Sequence, residues 1–243
     1  MKVSKGGNDM SDRQRVSTAV LLRGILSLGV FFIVLGALMF IPAGDIRWVK
    51  GWLFLLVFFL LTVPAIIYLW RVNPDIFVAR SKAFHAGTKS WDKVLVALLM
   101  LSLFTMFPLA AFDSARFHWS SVPPWLIVLG YILLCIGYFI SIWGESVNKF
   151  AELTVRIQTE RGHKVIDTGP YAIIRHPLYL GGLLMMIGIP LTLGSFWSFI
   201  PAAAATVTLI VRTVLEDRTL QRELEGYKAY AARVPHRLIP GIW

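Results

Sequence analysis

Apolar residues occur in long uninterrupted runs along this chain, and the polar residues between them are gathered into short, punctuated segments. Runs of nearly 20 residues have the length a helix needs to cross about 30 Å of hydrocarbon. The pattern predicts spans at Thr18–Ile41, closed by Pro42-Ala43-Gly44, and at Trp48–Trp70, Val94–Phe112 and Trp125–Trp143. Two shorter runs, Leu178–Leu193 and Phe196–Val211, flank Gly194-Ser195, a turn-like break suited to a helical hairpin. Beyond Arg212 the chain is charged and predicted helical to about Arg233, after which Pro235 and Pro240 stop it. Residues 1–17 are polar and read as a flexible tail. The expected fold is all-α: one polytopic membrane domain, 1–243, with about six membrane-embedded helices and a helix after the hairpin.

Composition agrees. The chain is 56% hydrophobic and 16% charged, with a mean hydropathy of +0.66, where a soluble domain is near a quarter charged. A net charge of +10 raises the question of nucleic acid. However, the basic residues fall in alternate segments, the N-terminus, 71–93, 144–177 and the tail, while 42–47 and 113–124 carry only Arg47 and Arg116. That alternation follows the positive-inside rule and predicts contact with membrane lipids rather than nucleic acid. It also predicts that both termini are cytoplasmic, at the cell inner membrane in a bacterium. Cys135 stands alone, so no disulfide forms within the chain. His85, His118 and His236 share no ligand spacing, and no metal is expected.

One polar island interrupts the apolar pattern, His163 to Tyr179. His176-Pro177 has the character of a helix entry, because the residue before proline avoids the helix and proline suits its first turn. Gly169-Pro170 makes a turn upstream, which displays Tyr171 and Arg175 at the membrane surface. The hairpin returns Arg212, Glu216 and Asp217 to the same side. Arg212 and Glu216 share a helix face, so a local salt bridge is the plain reading. Charges at such a boundary are costly unless paired or solvated, and are often functional. Asn148, Glu145 and Glu152 follow the fourth span and either face the same cleft or are wetted helix. Tyr227 and Tyr230 read as aromatics of the interface.

The run Gly169-Pro170-Tyr171 and then Arg175-His176-Pro177-Leu178-Tyr179-Leu180-Gly181 resembles the signature of the integral-membrane methyltransferases. That group includes isoprenylcysteine carboxyl methyltransferase and the phospholipid N-methyltransferases. Arg212, Glu216-Asp217, Leu220, Gly226-Tyr227, Tyr230, Val234 and Arg237 to Trp243 continue the resemblance, and His163 to Ile166 is similar to a short H-x-L-V element. It covers about residues 145–243. The resemblance implies S-adenosyl-L-methionine bound on the cytoplasmic side without a Rossmann fold, and the chain has no strand–G-x-G–helix pattern. It further implies a cofactor pocket shaped by His163, Gly169, Tyr171, Arg175, His176, Pro177, Tyr179, Glu216 and Asp217. Arg212, Glu216 and Asp217 are the expected catalytic residues, and the acceptor is a lipophilic small molecule or a lipid-linked group. Where the family pattern has Glu-Glu, this chain has Glu216-Asp217.

For a carboxylate acceptor Arg212 would hold the anion by its fork, and for an amine or thiol Glu216, Asp217 or His176 would take the proton. Two other classes remain open at this level: a small transporter, and a non-catalytic scaffold.

Overall fold

The computed structural model describes residues 6–80 and 85–243, with side chains from residue 24 onward apart from Val78. Lys2, Lys5 and Lys82 lie outside the described residues, as do the side chains of Arg13, Arg15 and Arg23. The helices are α1 (Gly6–Ala43), α2 (Val49–Val72), α3 (Asp75–Ala79), α4 (Ser90–Ala111), α5 (Pro124–Val147), α6 (Pro177–Leu193), α7 (Phe199–Glu223) and α8 (Tyr227–Arg233). No strand occurs among the described residues. Among the described residues five helical segments are long and apolar enough to cross a membrane, and α6 is a shorter apolar helix beside them. The expectation of a polytopic helical membrane protein is borne out.

Three boundaries differ from those expected. The helix α1 extends back to Gly6, so residues 6–17 continue a helix rather than begin as an irregular tail. At the end of α4, Phe112–Phe117 winds into a π-helical turn that closes on His118 in the left-handed region, φ 50°. Finally, α7 does not stop at Val211 but carries on to Glu223, and the break comes at Leu224–Gly226, where Gly226 takes φ 79°. The polar residues from Arg212 therefore ride on the same rigid rod as the apolar run.

Connections gather alternately at two ends. At one end Lys50 donates to Ser114 (3.3 Å) and Ser195 to Asp113 (2.6 Å), drawing the 42–50, 113–120 and 194–198 segments together. At the other, Asn73 donates to the Glu145 carbonyl (2.6 Å) and Arg80 to that of Ala151 (3.2 Å).

The helices α5 and α6 pack closely together, and glycine is the reason. Gly130 and Gly137 on α5 face Gly188 and Gly181 on α6. A Cβ built on Gly137 would lie 2.5 Å from the Gly181 carbonyl, and one on Gly188 would lie 2.8 Å from the Gly130 carbonyl. Lipid tails are as apolar as leucine, so helices in a membrane gain little by hiding leucine. Close backbone approach at small residues supplies the packing instead. This seam fixes the entry of α6, and with it His176 and Tyr179, relative to the end of α5.

Candidate active site

His176 caps α6 from a non-helical conformation (φ −128°) and Pro177 takes the first helical position, as the proline rule requires. The backbone ahead of it is held from the C-terminal segment: the Arg175 amide donates to the His236 carbonyl and the His176 amide to that of Arg237, both at 3.0 Å.

Asp217, on α7, ties this corner together. Its carboxylate is 0% exposed. One oxygen lies 3.2 Å from Arg175 Nε, off hydrogen-bonding alignment, and 3.4 Å from His176 Nε2, and it accepts from the Tyr227 hydroxyl at 3.2 Å. The other accepts from Gln221 at 2.8 Å and Arg237 at 3.0 Å. A buried carboxylate needs such compensation for its lost hydration. The consequence is that Asp217 has no free face. It does not line the cavity beside it, in contrast to the direct role expected of it.

That cavity lies between the loop 148–166, the entry of α6, α7 and α8, and is lined by His163, Tyr171, Arg175, His176, Tyr179, Arg212 and Glu216 together with Asn148, Phe150, Arg156, Tyr227 and Tyr230. Gly169 and Pro177 stand behind its wall. Gly169 packs on Trp143 and Val147, and Pro177 lies against Gly144.

Arg212 also differs from expectation. Its Nε donates to one Asp92 oxygen at 2.7 Å and its Nη2 to the other at 3.2 Å, while Nη2 also reaches the Leu153 carbonyl at 2.6 Å. The fork expected to hold an acceptor carboxylate, or to pair with Glu216, is thus closed on Asp92. Asp92 additionally accepts the Val155 amide at 2.6 Å, so the pair pins the cavity floor to α4 and α7. The signal for this role was present in the sequence: an acid just inside an apolar helix needs a cation at the same depth.

Arg156 is likewise engaged, by both oxygens of Glu152 at 2.8 Å. With Arg212 on Asp92 and Arg175 and Arg237 on Asp217, the guanidinium groups around the cavity are paired with acids. Glu216 differs: among the described residues no cation pairs with it, and its one partner is the Tyr179 hydroxyl, which donates to Oε2. Tyr179 stacks on His176 (centroids 5.6 Å apart, 5° between planes), with the Arg212 guanidinium 5.4 Å from its ring centroid.

Tyr227 and Tyr230 are buried rather than interfacial, 4% and 2% exposed. Tyr230 donates to the Tyr171 carbonyl at 2.7 Å, and Asn148 to the Tyr171 hydroxyl at 2.9 Å, so Asn148 faces the cleft. Burial pushes the Tyr171, Tyr227 and Tyr230 phenols above their usual range. His163 packs on Phe150, and its Nδ1 accepts the Gln158 amide at 3.3 Å. Burial lowers its pKa to about 4, so at neutral pH the ring is uncharged and carries its proton on Nε2.

A second, apolar cleft meets the first. It runs between α2, α4, α5, α6 and α7, past Ala65, Leu69, Leu99, Tyr138, Met185 and Leu209, and shares Glu152, Leu178, Tyr179 and Arg212 with the polar cavity. Through Ala65 and Ile142 it continues to a groove flanked by Tyr68, Phe139 and Trp143 on the exposed apolar surface.

Comparison with known proteins points to membrane-associated lipid enzymes, methyltransferases among them. Residues 125–225 match the phospholipid methyltransferase family. Protein-S-isoprenylcysteine O-methyltransferase B of Arabidopsis thaliana is 26% identical over 150 residues, 58% of this chain and 70% of that protein. The Homo sapiens protein-S-isoprenylcysteine O-methyltransferase is 29% identical over 126 residues, 46% of this chain and 40% of that protein. A delta(14)-sterol reductase of Mus musculus is 30% identical over 90 residues, 36% of this chain but only 22% of the reductase. The family match and the two methyltransferases support the resemblance to the integral-membrane methyltransferases drawn from the motifs.

Proposed function

We propose that this chain works as an integral-membrane methyltransferase that takes the methyl group of S-adenosyl-L-methionine from the cytoplasmic side and passes it to a lipophilic acceptor arriving from the bilayer. The observation that carries this reading is the junction: a polar cavity and an apolar cleft meet at Tyr179, Arg212, Leu178 and Glu152. A soluble donor and a membrane-borne acceptor need two such entrances to one reacting point. Alignment of the two and exclusion of water supply most of the rate in a transfer of this kind.

The donor set fits the cofactor. S-adenosyl-L-methionine supplies a methyl group on a positively charged sulfur. Glu216, the cavity carboxylate without a cation, supplies a compensating charge, while His163, Asn148 and the aromatic rings of Tyr171 and Tyr179 offer polar and stacking contacts. Arg175, His176 and Asp217 act by holding the wall in register. Basic residues at the cavity end, Arg218, Arg222 and Lys228 among them, favour a cytoplasmic orientation for that end and for both termini.

The sterol reductase similarity favours a second reading, reduction of a lipophilic substrate. That chemistry needs a hydride donor, and the common soluble donors carry phosphates. Phosphates seek free cations, whereas the guanidinium groups lining the cavity are occupied by acids, which leaves Lys164 as its one lining cation without an acid partner among the described residues. Isothermal titration of the purified protein with S-adenosylhomocysteine and, separately, with reduced nicotinamide adenine dinucleotide phosphate tests both readings. Binding of the first alone is expected. Binding of the second alone, by folded protein, sinks the proposal.

A further inference from the structure

Among the described residues Tyr179 is the one hydroxyl that lines both cavities, and it donates to Glu216, which lines only the polar one. From this geometry we infer that Tyr179 and Glu216 form a proton relay, and that the acceptor is therefore an amine, thiol or hydroxyl that must lose a proton, not a carboxylate. The inference rests on the methyl-transfer reading above and names the reacting group within it.

Charge balance drives the relay. Before transfer the positive sulfur and the Glu216 carboxylate offset each other. The acceptor's lone pair then bonds to the methyl carbon, and the carbon–sulfur bond breaks with its electrons going to sulfur, which becomes neutral. Glu216 is left as a half-buried carboxylate with no cation paired to it, and the Tyr179 hydroxyl is the donor in contact with it. The acceptor's proton passes to the Tyr179 oxygen as the Tyr179 hydroxyl proton passes to Glu216 Oε2. No charge remains on either side, and Glu216 returns its proton to water through the polar cavity.

The other acids near Tyr179 are already engaged. The charged groups facing Tyr179 are Glu216 and Arg212 from α7, Asp92 from α4 behind Arg212, Glu152 from the connecting loop, and His176 at its own helix entry. Asp92 is closed on Arg212 and Glu152 on Arg156, so neither is a free base. Arg212 above the ring stabilises electron density on Tyr179 in passing. A carboxylate acceptor would need a free cation at the junction, and the guanidinium groups there are held by acids.

The test uses the full-length protein in detergent with labelled S-adenosyl-L-methionine and three probes that share one chain: hexadecylamine, hexadecanethiol and hexadecanoate. Tyr179→Phe keeps the ring stacked on His176 and removes the hydroxyl. Wild type is expected to methylate the amine or the thiol and not hexadecanoate. The variant should lose about 100-fold or more in kcat, with KM and S-adenosylhomocysteine affinity within about threefold. With the thiol the loss should shrink as pH rises and thiolate forms without a base. Wild type should show a solvent deuterium isotope effect on kcat, a readout that does not depend on the variant folding. Undiminished turnover by Tyr179→Phe, or hexadecanoate as the sole substrate, overturns the relay while leaving methyl transfer intact. Donor binding with no transfer to any probe or to a total membrane-lipid extract overturns the methyl-transfer reading itself.

Discussion

Asp92 and Arg212 stand 120 positions apart in the chain and meet in a two-point ion pair, with Nε and Nη2 of the guanidinium on the two oxygens of a carboxylate that is 0% exposed. The pair joins the first turn of α4 to α7 and, through the Leu153 carbonyl and Val155 amide, to the floor of the polar cavity.

Removing one member leaves a buried charge uncompensated, which costs about 3–5 kcal/mol. Asp92→Ala should therefore destabilise the protein severely, as should Arg212→Ala. The double substitution Asp92→Leu with Arg212→Met should recover part of the loss, because burying neither charge is cheaper than burying one. Thermal melting in detergent checks the order: double above either single.

Asp217 gives a prediction of opposite sign to the one invited by the Glu-Glu pattern that this segment resembles. Both oxygens are committed, to Arg175, His176, Tyr227, Gln221 and Arg237. Asp217→Glu, which restores the more usual second acid, pushes an extra methylene into a filled site and should cost about 1–3 kcal/mol. Activity should fall with it. A variant with a higher melting temperature and unchanged activity would show that the site has room.

The glycine seam is tested by adding single methyl groups. At Gly181 the new carbon would meet the Gly137 carbonyl at 2.5 Å, a backbone atom that cannot swing away, whereas Gly29 has nothing within 4 Å. Gly181→Ala should lower the melting temperature and the yield of folded protein, while Gly29→Ala should leave both unchanged.

His163 sets a pH dependence. Its folded pKa of about 4 lies below the ordinary 6.5, because burial disfavours the charged ring. The unfolded chain therefore binds the proton more readily, and stability falls as pH drops from about 6.5 towards 4, being complete above 6.5. His163→Gln should remove this part of the acid sensitivity. Melting curves at pH 7.5 and 5 for the two proteins measure the difference, and parallel losses in both would contradict it.

Much of the fold was legible because hydrocarbon imposes a length on every span, and the apolar runs carry that length openly. His176-Pro177 was legible as a helix entry for a local reason, the restriction proline places on its predecessor. The end of α7 was not, since Val211 to Arg212 marks a change of solvent rather than a change of backbone. The partners of Asp92, Arg80 and Asp217 escaped because ion pairs between distant segments leave no periodic trace. Tyr227 and Tyr230 were misread for a related reason: an aromatic near a membrane boundary has the same local pattern whether it faces headgroups or seals a buried carboxylate. The spacing of Gly130 and Gly137 matches that of Gly181 and Gly188, a sign of the seam that only its partner helix makes meaningful.

The most direct test of the account is titration of the purified, folded protein with S-adenosylhomocysteine and S-adenosyl-L-methionine, for wild type and for Glu216→Gln. The account predicts that wild type binds both, and that Glu216→Gln weakens the positively charged S-adenosyl-L-methionine by tenfold or more, and the neutral-sulfur product by less. Absence of binding by wild type, or equal affinities in the two proteins for both ligands, would contradict it.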